Sequence, residues 1–383
     1  MTRELHASVT MADQNIVPVI ANRSPEAMFL YSRTQIYDFL RDVAANPAAF
    51  NVPGGQGKAA DLQSIQNRLK QLSLPVRVGD PGHAEFNRQS LTPDQHIYRQ
   101  VNQGWRNDVQ ASKFHARENW NHQFIDSTIA QPYWSPYDLL GLFLSKLGPA
   151  QAGSTKQNFF LPLTAMYMHW CRTIAGREAP DPVGPGGNPR GVGNSSFYYN
   201  CTWDDNSKAF FLGASLAGFN WRRNVGQWEL GRPAREFDRE PLNRLGLKFS
   251  RYALLTDNYH PLGLKYDFDR SPVILERNPT GQRFGNCAET YPFMNMLGYR
   301  HNRAQGPEEM ARYHGLALKY DYLGDPADLA MPYSYNRIIE QLRGQDRKAY
   351  PNRRYLGQPC ENCRYLIRRA QANVFNFSPD NGL

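Results

Sequence analysis

Two short cysteine motifs, 73 positions apart, constrain this chain more than any other feature of it. The first is Cys287-Ala288-Glu289, and the second is Pro359-Cys360-Glu361-Asn362-Cys363. Three thiols and one carboxylate make a metal site only if the fold brings the motifs together, so the chain between them has to leave and return. Zinc suits thiolate ligands. Three protein ligands leave its fourth tetrahedral position open to water, which separates a catalytic site from a closed structural one. Cys360 and Cys363 are spaced i, i+3 and share one side of a helical first turn. Pro359 stands at an expected strand-to-helix junction, and Arg364 to Ala370 reads as an amphipathic helix with its basic residues on the wet face. Cys287 likewise precedes an apolar run from Tyr291 to Leu297. A helix N-terminus favours a thiolate, so the motifs predict two helix starts meeting at one metal. A closed site of four cysteines is the rival. It needs Cys171 or Cys201 as fourth ligand, and neither has a ligand-spaced neighbour.

The order Cys-x-Glu, then Pro-Cys-x-x-Cys, resembles the signature of the cytidine deaminase-like superfamily. The resemblance rests on the metal and glutamate motifs and covers roughly the second half of the chain. It implies a zinc-dependent hydrolytic deaminase in which Zn2+ on Cys287, Cys360 and Cys363 activates a water. Glu289 would carry that water's proton to a ring nitrogen and then to the leaving ammonia. The attacked carbon would be an amidine-type centre, as in cytosine or adenine. In nucleoside deaminases that resemble this pattern, an asparagine at about the offset of Asn278, nine positions before Cys287, contacts the sugar. Pro279 after it equally marks a turn. The distance between the half-sites exceeds that of compact deaminases, which predicts an insertion around Asp321 to Ser334, where Gly324-Asp325-Pro326 and Met331-Pro332 interrupt regular structure.

A free base, nucleoside or related aminated metabolite is the expected substrate. One alternative is a nucleic-acid base deaminase of the editor or toxin kind, which would draw on the net charge of +9 and on tyrosines able to stack on bases. The other is a non-catalytic, zinc-stabilised binding protein. The arginines are scattered among acids with no basic run, which favours an ordinary basic surface over a dedicated nucleic-acid face. Three of the five cysteines belong to the metal motifs, and Cys171 and Cys201 read as buried thiols of a reducing compartment. Met1 to His6 lacks the apolar stretch of a signal peptide, and apolar runs such as Asn158 to Leu163 are short and broken by proline. A cytoplasmic protein with no membrane partner is therefore expected.

The 383 residues suffice for two domains or for one with large insertions. Helical spacing recurs over Ser32 to Asn46, Gln56 to Leu74, Pro93 to Asn121, Pro136 to Leu147 and Phe160 to Ile174, the last two being the most apolar. Met166, Tyr167 and Trp170 form a core stripe, and His169 beside them reads as a core histidine. The Gly/Pro-dense stretch from Ala179 to Gly193 propagates neither helix nor strand, and serves as a linker or as a loop beside the active site. Beyond it, Phe210 to Phe219, Arg251 to Thr256, Pro272 to Arg277, Leu316 to Tyr320 and Tyr355 to Gly357 read as strands. Gly213-Ala214-Ser215-Leu216-Ala217-Gly218 misses a nucleophile elbow by one position and reads as small residues packing a strand. The prediction is an α/β protein: a deaminase-like mixed sheet between helices in the C-terminal half, with a largely helical N-terminal half. Residues 1–178 would form the helical region, 179–194 the linker or loop, and 195–383 the zinc-dependent domain.

Overall fold

A computed structural model describes residues 18–72, 136–174, 196, 198–215, 287–293, 295–296, 312–319 and 356–379. Helices start where the sequence supplies a capping group. Ser24 caps the single turn α1 (Pro25–Phe29) by accepting from Ala27 N. Ser32 and Gln35 form a reciprocal capping box on α2 (Arg33–Ala45), the Ser32 hydroxyl accepting from Gln35 N while the Gln35 amide oxygen accepts from Ser32 N at 2.9 Å. The residues that recur at helical spacing in α2, Ile36, Phe39, Leu40 and Val43, are all buried. α3 (Ala59–Leu72) buries Leu62, Ile65 and Leu69 after a tighter turn over Gly55–Lys58. The sequence extends this helix back to Gln56, but three glycines in Gly54 to Gly57 favour turn geometry there.

α4 (Pro136–Lys146) and α5 (Leu161–Ile174) carry the centre of the fold. Every residue of α5 is buried, as an apolar helix without a wet face requires. The stripe of Met166, Tyr167 and Trp170 has no solvent exposure. The Trp170 indole N–H donates to Met28 O at 2.8 Å, and its ring stacks on Tyr31 and meets Phe39 edge-on. That satisfied donor ties α1 and α2 to α5. His169 is buried and stacked on Phe29 with ring centroids 4.5 Å apart.

The sheet runs in the order β2-β1-β3-β4, from β1 (Tyr198–Asp204), β2 (Phe210–Ala214), β3 (Tyr313–Lys319) and β4 (Leu356–Gly357). Among the described residues every pairing is antiparallel, where a mixed sheet was expected. For β1 and β2 the reason is a connection of five residues, too short for the crossover that parallel strands need. β1 is not among the strands the sequence predicts. The predicted strands at Phe210, Leu316 and Tyr355 are present with shifted ends. Those over Arg251 to Thr256 and Pro272 to Arg277, the helix over Pro93 to Asn121, the Gly/Pro stretch and the expected insertion lie outside the described residues.

Residues paired across strands share a face, so the register sorts the side chains into two sets. Tyr199, Cys201, Trp203, Phe210, Leu212, Ala214, Leu316, Leu318 and Leu356 form one face, which is buried. α5 and the turn that opens it pack there: Phe160 stacks on Trp203 at 4.4 Å, Phe159 meets Phe210, and Tyr167 meets Tyr199. The edge strand β2 is closed by α4. Leu212 N donates to Ser145 Oγ at 2.9 Å and Ala214 N to Asp138 Oδ1 at 3.2 Å. Unpaired edge groups thereby find partners inside the protein. Gly141 permits this approach, since a Cβ there would lie 2.7 Å from Leu212 O.

The opposite face also carries Tyr198, Phe211 and Tyr313, but over Asn200, Thr202, Gly213, Gly315, Ala317 and Gly357 its residues are small. These small residues let a second layer sit close to the backbone. A Cβ on Gly213 would lie 2.7 Å from Ala288 O, and one on Gly315 would enter the ring of Phe377. The sheet therefore has α5 on one face, α4 along its β2 edge, and on the other face the layer that holds the residues after Cys287 and Phe377. One buried apolar cluster extends from Ile20 through α5 to Leu356, so helices of the first half and strands of the second share a core. Asn200, in the triplet Asn200-Cys201-Thr202, is 2% exposed and its amide donates to Leu316 O at 2.8 Å, which removes it as a glycan acceptor in this fold. Among the described residues no helix is long and apolar enough to cross a membrane.

Candidate metal centre

α6 (Glu361–Arg369) begins at Cys360, its N-cap, whose extended backbone turns the chain out of β4 through Pro359. Cys363 follows in the first turn, as the i, i+3 spacing predicts. The other half-site enters from the small-residue face of the sheet. Cys287 is followed by a turn, and residues 290–293 are helical, with Thr290 N donating to Cys287 O at 3.3 Å and Phe293 N to Glu289 O at 2.9 Å. The Cys287 and Cys360 sulfurs lie 3.3 Å apart and those of Cys360 and Cys363 3.6 Å apart. All three Sγ atoms fall within 4.8 Å of one another.

These distances test the fit of a metal. Zn–S bonds of about 2.3 Å in a tetrahedral site place two sulfurs roughly 3.8 Å apart. The triad is thus compact enough to close on one ion with small adjustments. The donor set, three soft sulfurs, suits zinc. Cys171 and Cys201 do not join the group: both are fully buried, and Cys201 points to the opposite face of the sheet. Burial pushes both of their thiols well up, as expected of inert core cysteines. The fourth-cysteine alternative therefore has no support among the described residues.

Charge within the triad is uneven. Hydrogen bonding with Cys287, and secondarily with Cys363, holds Cys360 well below the usual thiol range, and the backbone N–H groups of Cys363 and Asn362 add to this. The same contact with Cys360 pushes Cys287 up, and Cys363 is raised by its contacts with Cys287 and Cys360. An ion bound by all three sulfurs takes them as thiolates, so protons leave the cluster as it binds. Cys360, at the helix start, is lowered chiefly by Cys287 and Cys363, with the N–H groups of the helix start contributing less. At Cys287 the helix begins three residues later and the thiol is raised instead.

Glu289 lies beside the triad without belonging to the ligand group. Burial raises its carboxyl to about 7, with the negative charge of Cys360 contributing, against a lowering contact with Cys363. It is a buried carboxyl in contact with Cys363, outside the three-sulfur group. Asn278 lies outside the described residues. Gly213 is legible in the sequence only as a small residue packing a strand, and Phe377 and Lys156, which also hold this layer in place, carry no sequence signal. Their signal is a close approach in space, and no local pattern encodes it.

Compared with known protein families, with curated proteins and with solved structures, the chain matches none.

Proposed function

We propose that this protein is a zinc-dependent hydrolytic deaminase acting on an amidine-type C–N bond of a free base, nucleoside or related aminated metabolite. The observation that carries the reading is the convergence of Cys287 with Cys360 and Cys363, motifs 73 positions apart, into one three-sulfur group with Glu289 beside it. Cys287, Cys360 and Cys363 would hold the ion, which when bound would supply Lewis acidity and lower the pKa of a water. Glu289 would accept a proton at its carboxylate and return it to the substrate's ring nitrogen, then to the departing ammonia. The Cys360 end of α6, with backbone N–H groups directed at its own N-terminus, would favour developing negative charge there.

The test is ammonia release from a panel of aminated bases, nucleosides and oligonucleotides, run with wild type and with Glu289→Gln. Gln keeps the size and polarity of the side chain and removes its base. Turnover should fall by about 10²–10⁴-fold with metal content unchanged. Turnover at the wild-type rate in the Gln variant contradicts the role of Glu289. Absence of turnover across the panel favours a zinc-stabilised binding protein, and turnover confined to the oligonucleotides shifts the substrate class.

A further inference from the structure

After α6 the chain reverses at Gln371, a residue in the left-handed region with φ 62°. Val374–Phe377 then makes one short turn, capped by the Asn373 side chain accepting from Phe375 N at 3.0 Å. Phe377 is buried, and its ring takes the space over Gly315 that any side chain there would fill. The same ring meets Phe293 edge-on, with centroids 6.4 Å apart, and Phe293 stands in the helical residues that follow Cys287. One aromatic ring therefore touches the sheet and the first half-site, while its backbone continues from the helix that carries the second. The next two carbonyls, of Ser378 and Pro379, each lie 3.3 Å from Lys156 Nζ, an ammonium from a residue 222 positions earlier that is only 8% exposed. Burying an ammonium is unfavourable unless acceptors surround it, so these contacts are held. Lys156 opens the turn whose Phe159 and Phe160 pack on the other face of the sheet, so the contact joins the two outer layers.

We propose that residues 374–379 form a strap that sets the spacing of the two cysteine half-sites, with Phe377 and Lys156 as its positioning residues. The inference rests on the metal-centre reading for its purpose, but the spacing of the thiols is measurable without metal. The strap acts as a wedge and a tie: Phe377 fixes how far the Cys287 segment stands from Gly315, and Lys156 keeps the wedge seated.

Disulfide trapping in the metal-free, full-length protein reads this spacing. Diamide takes up the two thiol hydrogens of Cys287 and Cys360, and is reduced to the hydrazine as the S–S bond forms. The initial rate reports the effective concentration of one thiol at the other. Lys156→Met keeps the apolar stem and removes the donors, Phe377→Ala removes the wedge, and Leu62→Ala in α3 is a core variant remote from the strap. All are compared at a temperature where circular dichroism shows each folded. The two strap variants should form the Cys287–Cys360 disulfide, located by peptide mass, on the order of tenfold more slowly than wild type. The Leu62 variant should match wild type. Equal rates in all four proteins overturn the strap. So does a Leu62→Ala rate as slow as theirs, because the slowing would then follow lost stability and not lost positioning. Zinc stoichiometry of the wild type, measured separately, tests the metal reading on its own, so the two failures are distinguishable.

Discussion

Replacing Gly213 with alanine should disturb the metal centre through the layer packed on that face of the sheet. The added Cβ would stand 2.7 Å from Ala288 O and 2.5 Å from Pro292 Cδ, and the atoms it meets are a backbone carbonyl and a proline ring, not the tip of a flexible side chain. Ordinary contact begins near 3.4 Å, so the segment that carries Cys287 has to retreat by about 0.9 Å or β2 has to yield. Metal ligands tolerate displacements of only about 0.2 Å. Overpacking of this kind costs about 1–3 kcal/mol. If the Cys287 segment moves, the loss falls on the metal, and zinc affinity drops about fivefold to a hundredfold. If it holds, the same loss appears as a lower urea midpoint of the metal-free protein. Chelator competition and urea unfolding, run together on Gly213→Ala, capture both. Gly57→Ala, where a new Cβ meets nothing within 4 Å, is the control and should leave both unchanged. A Gly213→Ala protein that matches wild type in zinc affinity and in stability would refute the close packing of the metal layer on the sheet.

Acid should weaken the fold through His169. Burial, with the charge of Arg172, lowers its pKa from 6.5 to about 3. The unfolded chain therefore binds a proton below about 6.5 that the folded one refuses, and stability is complete above that pH and declines as pH falls toward 3. Between pH 7 and pH 5 the loss is about 2 kcal/mol, and urea unfolding of His169→Gln at those two pH values should show a dependence shallower by that amount. Cys363→Ser leaves two sulfurs for the ion, and elemental analysis after dialysis should find the variant far below one zinc per chain, with full occupancy ruling Cys363 out as a ligand.

What the sequence disclosed and what it concealed have separate physical causes. α2 is legible because Ser32, Gln35 and a run of apolar residues at helical spacing each specify the same start and the same face. The Cys360/Cys363 pair is legible because an i, i+3 spacing after proline places both sulfurs within one turn. β1 is harder. Tyr199, Cys201 and Trp203 alternate with Asn200, Thr202 and Asp204, but Asn200 and Thr202 face the metal-bearing layer and Asp204 accepts bonds within the turn to β2, so a buried polar set has the composition of a surface turn. β3 and β4 pair through Ala317 with Gly357 and Leu318 with Leu356, about 40 positions apart in sequence, a relation that no local pattern announces. Lys156 and Phe377 are positioned by partners 222 and 62 residues away, a long-range relation invisible to periodicity. Cys287 and Cys360 were paired by chemistry alone, and the 3.3 Å between their sulfurs is the point at which motif and fold agree.

The central claim is an ion held by three cysteines with one position left open. X-ray absorption at the zinc edge of the loaded protein measures that coordination shell directly. Three sulfurs at about 2.3 Å and one lighter oxygen or nitrogen ligand at about 2.0–2.2 Å are expected. Four sulfurs would contradict it, because the only remaining cysteines, Cys171 and Cys201, are buried away from the triad and the site would be closed.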